Sequence, residues 1–162
     1  MTEKPLEKTN AMRALEQRKI AYEPVVYGDV ETFHTATEVA AMLGQPVEAV
    51  YKTLVVLRDK GKPLLVMIAA DREVDLRLLA KEMGEKKLQM ATLKEAEKLT
   101  GLQVGGISAL ALLNKCFDAL LDAPALQQTS LYISAGRRGI QIKLAVSDLL
   151  KVTGARVVHA TQ

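Results

Sequence analysis

The stretch Tyr51-Lys52-Thr53-Leu54-Val55-Val56-Leu57-Arg58-Asp59-Lys60-Gly61-Lys62-Pro63-Leu64-Leu65-Val66-Met67-Ile68-Ala69-Ala70 decides the architecture. Two apolar, β-branched runs, 51–58 and 64–70, flank Asp59-Lys60-Gly61-Lys62, a turn composition. That pattern predicts an antiparallel hairpin. Runs this rich in Val, Leu and Ile fill a core. Lys52 is the anomaly within the first run. A lysine there must reach solvent, pair with an acid, or face a pocket that needs a cation. If Tyr51 and Thr53 face one side of the strand, Lys52 faces the other with Leu54 and Val56.

Working outward, Thr9 reads as an N-cap, with Met12, Ala14 and Leu15 forming an apolar helix face to about residue 19. Residues 22–27 read as a strand, and Pro24 places it at an edge. Thr35-Ala36-Thr37-Glu38 is a capping box that opens a helix over 36–43, closed by Gly44. Pro46 starts a further helical turn at its first position. Asp75 caps a helix through Met83 that Gly84 ends, and Thr92-Leu93-Lys94-Glu95 is a second capping box whose helix stops before Gly101. Residues 117–121, 130–134 and 140–144 read as strands. Ser147 begins a last helix, and 156–158 reads as a closing strand. Helices and hairpins alternate without strict βαβ order. The fold class is therefore α+β, with helices flanking a curved, mixed, largely antiparallel and barrel-like sheet.

At 162 residues, with 49% hydrophobic residues, the chain suits one domain with a substantial core. Residues 1–8 are polar and read as a flexible N-terminus, leaving 9–162 as the folded unit. No apolar run reaches the roughly 18 residues of a membrane span, and nothing resembles a signal peptide, so a cytosolic protein without a membrane partner is expected. A net charge of +3 is only mildly basic. Cys116 is the single cysteine, which excludes an intramolecular disulfide and a cysteine-rich metal site, and its apolar surroundings suggest a buried, inert thiol. There is no phosphate-binding loop, dinucleotide fingerprint or metal-ligand spacing. No cofactor and no metal are therefore expected. His34 reads as the residue before a helix N-cap.

Two further segments carry chemistry. In Val104-Gly105-Gly106-Ile107-Ser108 the paired glycines let backbone amides approach a ligand, as an oxyanion site requires, although Gly-Gly is also a plain turn. Ser134-Ala135-Gly136-Arg137-Arg138-Gly139 joins two strands as a hairpin, with the serine and arginines at its base. One cation and two glycine-rich segments together suggest a site for an anionic or carbonyl-bearing ligand.

Val50-Tyr51-Lys52-Thr53-Leu54, the Gly-Gly-Ile-Ser loop, Asp122-Ala123-Pro124-Ala125 and 131–139 occur in the order of the signature segments of the YbaK/EbsC proteins, and the chain resembles that family over nearly its whole length. These are stand-alone relatives of the editing domain inserted in bacterial prolyl-tRNA synthetases. The resemblance implies hydrolysis in trans of the ester joining a wrong amino acid to tRNA, with Cys-tRNA(Pro) the first substrate to expect. It implies the acceptor end of an aminoacyl-tRNA, and prolyl-tRNA synthetase, as partners. It maps the essential lysine to Lys52 and the aminoacyl pocket to Gly105, Gly106, Ile107 and Ser108. Ser134, Gly136, Arg137 and Gln141 follow from the hairpin, and Tyr27 is a looser match to a pocket tyrosine. Cysteine substrates would supply their own thiol as nucleophile, so no protein nucleophile is needed. Two departures stand out. Ala109 replaces a proline and loosens the loop, and Gln141 replaces the aspartate common in the YbaK branch, which weakens the case for cysteine specificity. Two other readings remain open: a non-catalytic module binding tRNA or a synthetase, and a small-molecule hydrolase with Cys116 as nucleophile. The oligomeric state is not readable, and a monomer is compatible with the sequence.

Overall fold

The computed structural model describes residues 7–162. The expectation of a flexible N-terminus falls mainly on 1–6, outside the described residues. Lys8 forms an ion pair with Glu16 at 3.0 Å.

The opening helix α1 (Asn10–Gln17) is capped by the Thr9 hydroxyl and buries Ala11, Met12 and Leu15. Strand β1 (Glu23–Val26) pairs on one side only, which accommodates the missing N–H of Pro24. Helix α2 (Ala36–Leu43) carries the complete capping box and ends at Gly44, whose φ of 65° is the left-handed conformation that closes a helix. Pro46 corrects its expected place: it is the cap before a 3-10 turn, Val47–Ala49, rather than the first residue of a turn.

The hairpin read from sequence is β2 (Tyr51–Arg58) and β3 (Leu64–Ala69), antiparallel with Lys52 opposite Ile68. Its far end is clasped by Arg58, which contacts Glu85 at 2.7 Å and Asp118 at 3.0 Å. Helix α3 (Leu76–Met83) leads into β4 (Leu88–Met90), a short edge strand on β2 that the sequence reading missed. Three residues are too few to show period-two alternation. Helix α4 (Leu93–Thr100) follows its capping box. A 3-10 turn, Ala109–Leu112, was likewise not foreseen. Strand β5 (Asp118–Asp122) lies one residue beyond the expected range and runs parallel to β3. Strands β6 (Ser130–Ser134) and β7 (Ile140–Ala145) form the second hairpin. Helix α5 (Val146–Thr153) starts one residue early, on Ala145 as cap, and β8 (Arg156–Val158) closes the chain in parallel with β5.

The strands form two sheets, β1-β7-β6 and β4-β2-β3-β5-β8, joined by a parallel bridge between Val50 and Tyr132. The assembly is curved and mixed but not a closed barrel. One core, built on Leu15, Tyr51, Met67, Leu121, Ile133 and Ile142, lies between the sheets and α1 and α5. A second core packs α3 against the outer face of the larger sheet through Leu79, Val66 and Ile68. Tyr51 and Val56 thus serve opposite cores, as strand alternation demands. No helix among the described residues is long and apolar enough to cross a membrane.

Candidate active site

The bridge between the sheets sets β2 beside the second hairpin, and a cavity of about 220 Å³ opens there. Its lining includes Lys52 from β2, Gly105 and Ile107 from the glycine loop, Ser134 and Gln141 from β6 and β7, and His34 from the segment before α2. Most of the remaining wall is apolar, with Val39, Val50, Leu54 and Met90 contributing. Phe33 and Leu93 also line it, at 48% and 69% exposure, so the mouth is apolar and open.

Lys52 is half-buried. Its Nζ donates to the Ala70 carbonyl at 3.1 Å. Burial pushes the amine pKa below its ordinary 10.5, and the carboxylates of Glu73 and Asp71 oppose that shift. An ammonium has three donors, so two remain beyond the bond to Ala70. Tyr51, its neighbour in the wall, is pushed up to about 12, first by burial and then by Asp122.

The glycine loop is held from several sides. Gly105 has φ +92°, and a Cβ there would stand 3.0 Å from the Phe33 ring, so the close approach requires glycine. The Gly105 amide has no protein acceptor among the described residues, whereas the Gly106 amide is already bonded to the Gln103 carbonyl at 2.8 Å. Arg138 donates from Nε to the Val104 carbonyl at 2.7 Å, and its guanidinium sits 5.4 Å from the Phe33 ring centroid. Ala109, expected to loosen this loop, is buried and opens a 3-10 turn capped by Ser108.

Ser134 and Gln141 are directly opposed across the β6–β7 ladder. The Ser134 hydroxyl accepts from the Gly136 amide at 3.1 Å. Gln141 is 5% exposed, and its Oε1 is buried with no donor. Burying an unpaired carbonyl is unfavourable by about 1–3 kcal/mol, which an incoming donor would offset. The cavity lining contains no carboxylate. No group of three or more His, Cys, Asp or Glu side chains that could hold a metal lies among the described residues.

Of the residues singled out in the sequence, Lys52, Gly105, Ile107, Ser134 and Gln141 come together around the cavity, and Tyr27, Gly106, Ser108, Gly136 and Arg137 do not line it. Ser108 is fully buried and caps the 3-10 turn through a 3.2 Å bond to the Leu110 amide. Gly106 packs on the backbone of Arg137, where a Cβ would come within 3.1 Å. The Arg137 side chain faces Glu7 at 3.6 Å. Tyr27 stands behind the wall, edge-on to His34 with ring centroids 6.3 Å apart. Cys116 corrects its expected burial: it is exposed, and it is not among the residues lining the cavity. Sequence reading did not place Phe33 or His34 in the cavity wall. An aromatic–histidine pair in an otherwise polar loop was the available signal.

A half-buried lysine and a glycine whose amide has no acceptor among the described residues thus line one small cavity without a carboxylate. The family model for the aminoacyl-tRNA editing domain matches residues 30–152. The chain belongs to that aminoacyl-tRNA editing family. It is 37% identical over 158 residues, 98% of its length, to a protein of Enterococcus faecalis named as a candidate Cys-tRNA(Pro)/Cys-tRNA(Cys) deacylase, EbsC, of which it covers 96%. It is 28% identical over 97 residues to the proline–tRNA ligase of Aquifex aeolicus, matching 60% of this chain and 17% of the ligase. Among solved structures, a candidate trans-editing enzyme for prolyl-tRNA synthetase superposes with a TM-score of 0.80 at 27% identity, covering 99% of both chains. A hypothetical protein, APE2540, superposes with a TM-score of 0.85 over 95% of this chain and 100% of its own; at 24% identity it speaks for the fold alone.

Proposed function

We propose that the cavity receives the aminoacyl ester at the acceptor end of a mischarged tRNA, and that Lys52 and the Gly105 amide stabilise the oxyanion formed as the ester is hydrolysed. The chain is an aminoacyl-tRNA deacylase of the editing family. The observation that carries the site assignment is Lys52, a half-buried amine in an apolar wall that lines the same cavity as the glycine loop and has donors beyond its bond to Ala70.

An aminoacyl ester is already activated, so the protein has only to position the carbonyl, stabilise developing charge and exclude large side chains. A cavity of about 220 Å³ accommodates a small aminoacyl group, and the terminal nucleoside then lies at the mouth, against Phe33 and Leu93. Ser134 and Gln141 meet the substrate's amino group or side chain, and Tyr27 supports the wall through His34. Gly106, Ser108, Gly136 and Arg137 hold the loop and hairpin in shape. Residues 9–162 act as one editing unit, working in trans in the cytoplasm beside prolyl-tRNA synthetase, with Cys-tRNA(Pro) the leading substrate. The protein needs no cofactor.

The test is a deacylation panel with Cys-, Ala-, Ser- and Pro-charged tRNA(Pro), read as loss of acid-precipitable amino acid. Turnover of at least one small aminoacyl ester, faster than spontaneous hydrolysis, is expected. No turnover of any of the four would leave a tRNA- or synthetase-binding module as the function.

A further inference from the structure

We propose that the cavity binds its acyl group with the α-nitrogen uncharged, against the neutral amide of Gln141, and that tRNA esters of α-hydroxy acids are therefore substrates of the same site; this rests on the deacylase reading above. An α-amino group beside a carbonyl titrates at about 7.7–8.0, so most amine esters carry an ammonium at neutral pH. Burying a charge is unfavourable unless it is paired. The cavity lining contains no carboxylate, and its polar side chains Thr53, Ser134 and Gln141 are neutral. The charge that the lining can carry is positive, on Lys52 and His34. Tyr51, pushed up to about 12, stays neutral through the neutral range.

The elements around the cavity add to this polarity. The first turns of α2 and α4 both abut it, through Ala36 and Val39 and through Leu93 and Ala96. A helix presents its positive end there. Arg138 stands beside the glycine loop, its Nε 3.3 Å from where a Gly105 Cβ would be. The surrounding carboxylates are committed elsewhere. Glu38 and Glu95 turn back on their helix caps, accepting from the Thr35 and Thr92 amides at 3.0 Å each. Glu97 accepts from the Val104 amide at 2.9 Å. Asp71 and Glu73 act on the Lys52 amine, and neither lines the cavity.

Gln141 is the wall residue suited to a neutral α-substituent. It is 5% exposed, stands opposite Ser134 in the β6–β7 ladder, and has no donor for its Oε1. The N–H of an uncharged amine or the O–H of an α-hydroxyl supplies that donor equally well. An ammonium would bring the same donor with a charge that the wall does not pair. An amine ester must then lose its proton to bind, so its apparent affinity falls about tenfold for each pH unit below the amine pKa. An α-hydroxy ester carries no such penalty. Hydrolysis of either ester consumes one water. The water oxygen joins the acyl carbon, the bond from that carbon to the ribose oxygen breaks, and one water proton passes to the ribose oxygen. Free acid and uncharged tRNA are released.

The experiment uses the full chain, whichever member of the Cys, Ala, Ser and Pro panel turns over fastest, and its isostere with oxygen in place of the α-nitrogen on the same tRNA: lactyl for alanyl, 3-mercaptolactyl for cysteinyl. Single-turnover rates over a series of protein concentrations give the half-saturating concentration of each ester from pH 5.5 to 8.5. The hydroxy ester should turn over faster than its spontaneous hydrolysis. The half-saturating concentration of the amine ester, divided by that of the hydroxy ester, should rise at least tenfold from pH 8.5 to pH 5.5. Titration of Lys52 or His34 acts on both esters and cancels in that ratio. Gln141→Glu supplies a carboxylate and should flatten or reverse the trend. A hydroxy ester that is not turned over while the amine ester is, or a smaller rise in the wild-type ratio, would overturn the proposal. So would a folded Gln141→Glu protein whose ratio follows wild type; should that variant not fold, the wild-type ratio still decides. Absence of turnover of every amine ester and of its hydroxy counterpart would instead overturn the deacylase reading itself.

Discussion

Replacing Lys52 by Met removes the ammonium while keeping an apolar side chain of similar reach. At about 4 Å, an ammonium and an oxyanion attract by about 4 kcal/mol at an effective dielectric of 20. Part of that attraction already acts on the ground-state carbonyl, and only the excess in the transition state accelerates the reaction. The net loss is therefore about 3 kcal/mol, in line with removing one oxyanion donor, or roughly 10²–10³-fold in rate. The fold should survive, because among the described residues the amine bonds to one carbonyl, that of Ala70. Stability provides an internal control. The folded amine has a pKa depressed below 10.5, chiefly by burial, so protonation favours the unfolded chain. That penalty is complete below the folded pKa and disappears as pH rises to the unfolded value. Lys52→Met should thus melt at or above the wild-type temperature at pH 7, and the difference should shrink or reverse towards pH 10. Single-turnover deacylation paired with thermal melts at both pH values reads both effects. A variant that is folded and hydrolyses within threefold of wild type would refute the oxyanion role.

Two predictions concern the scaffold. Gly139 has φ +91°, and a Cβ there would come within 2.3 Å of the Gly28 carbonyl oxygen. Its own carbonyl accepts from the Tyr27 amide at 2.8 Å. Gly139→Ala should cost about 2–4 kcal/mol in urea denaturation and lower activity by shifting the 27–34 segment; an unchanged midpoint would show that this approach does not matter. Asp122 is buried, accepting from the Ala160 amide at 2.8 Å and the Thr161 hydroxyl at 2.5 Å. Asp122→Ala strands the buried Ala160 donor and should destabilise by about 2–3 kcal/mol with Lys52-dependent activity intact at low temperature; a melt indistinguishable from wild type would sink that account.

Capping boxes at Thr35 and Thr92, the Asp75 cap and the glycine closures at 44, 84 and 101 were legible, because each is a contact within one turn of chain. The 51–70 hairpin was legible because its turn and its apolar runs are contiguous. Strand β4 was not, since three residues carry no period and pair only because β2 offers an edge. Pro46 and the 3-10 turns were misjudged or missed for the same reason, being set by what they pack against.

By itself the sequence determined which local units exist and that one lysine sits in an apolar strand. Tertiary structure alone decided which polar groups meet. The Val50–Tyr132 bridge brings Lys52 towards Ser134 and Gln141 across more than eighty residues, and the Arg138–Phe33 clasp sets the glycine loop opposite. It also decided that the Gly106 amide is occupied, that Ser108 is a buried cap, and that His34 belongs to the wall. Local propensity acts over a few residues, whereas a cavity is made by packing between distant ones, and no short-range pattern encodes its members.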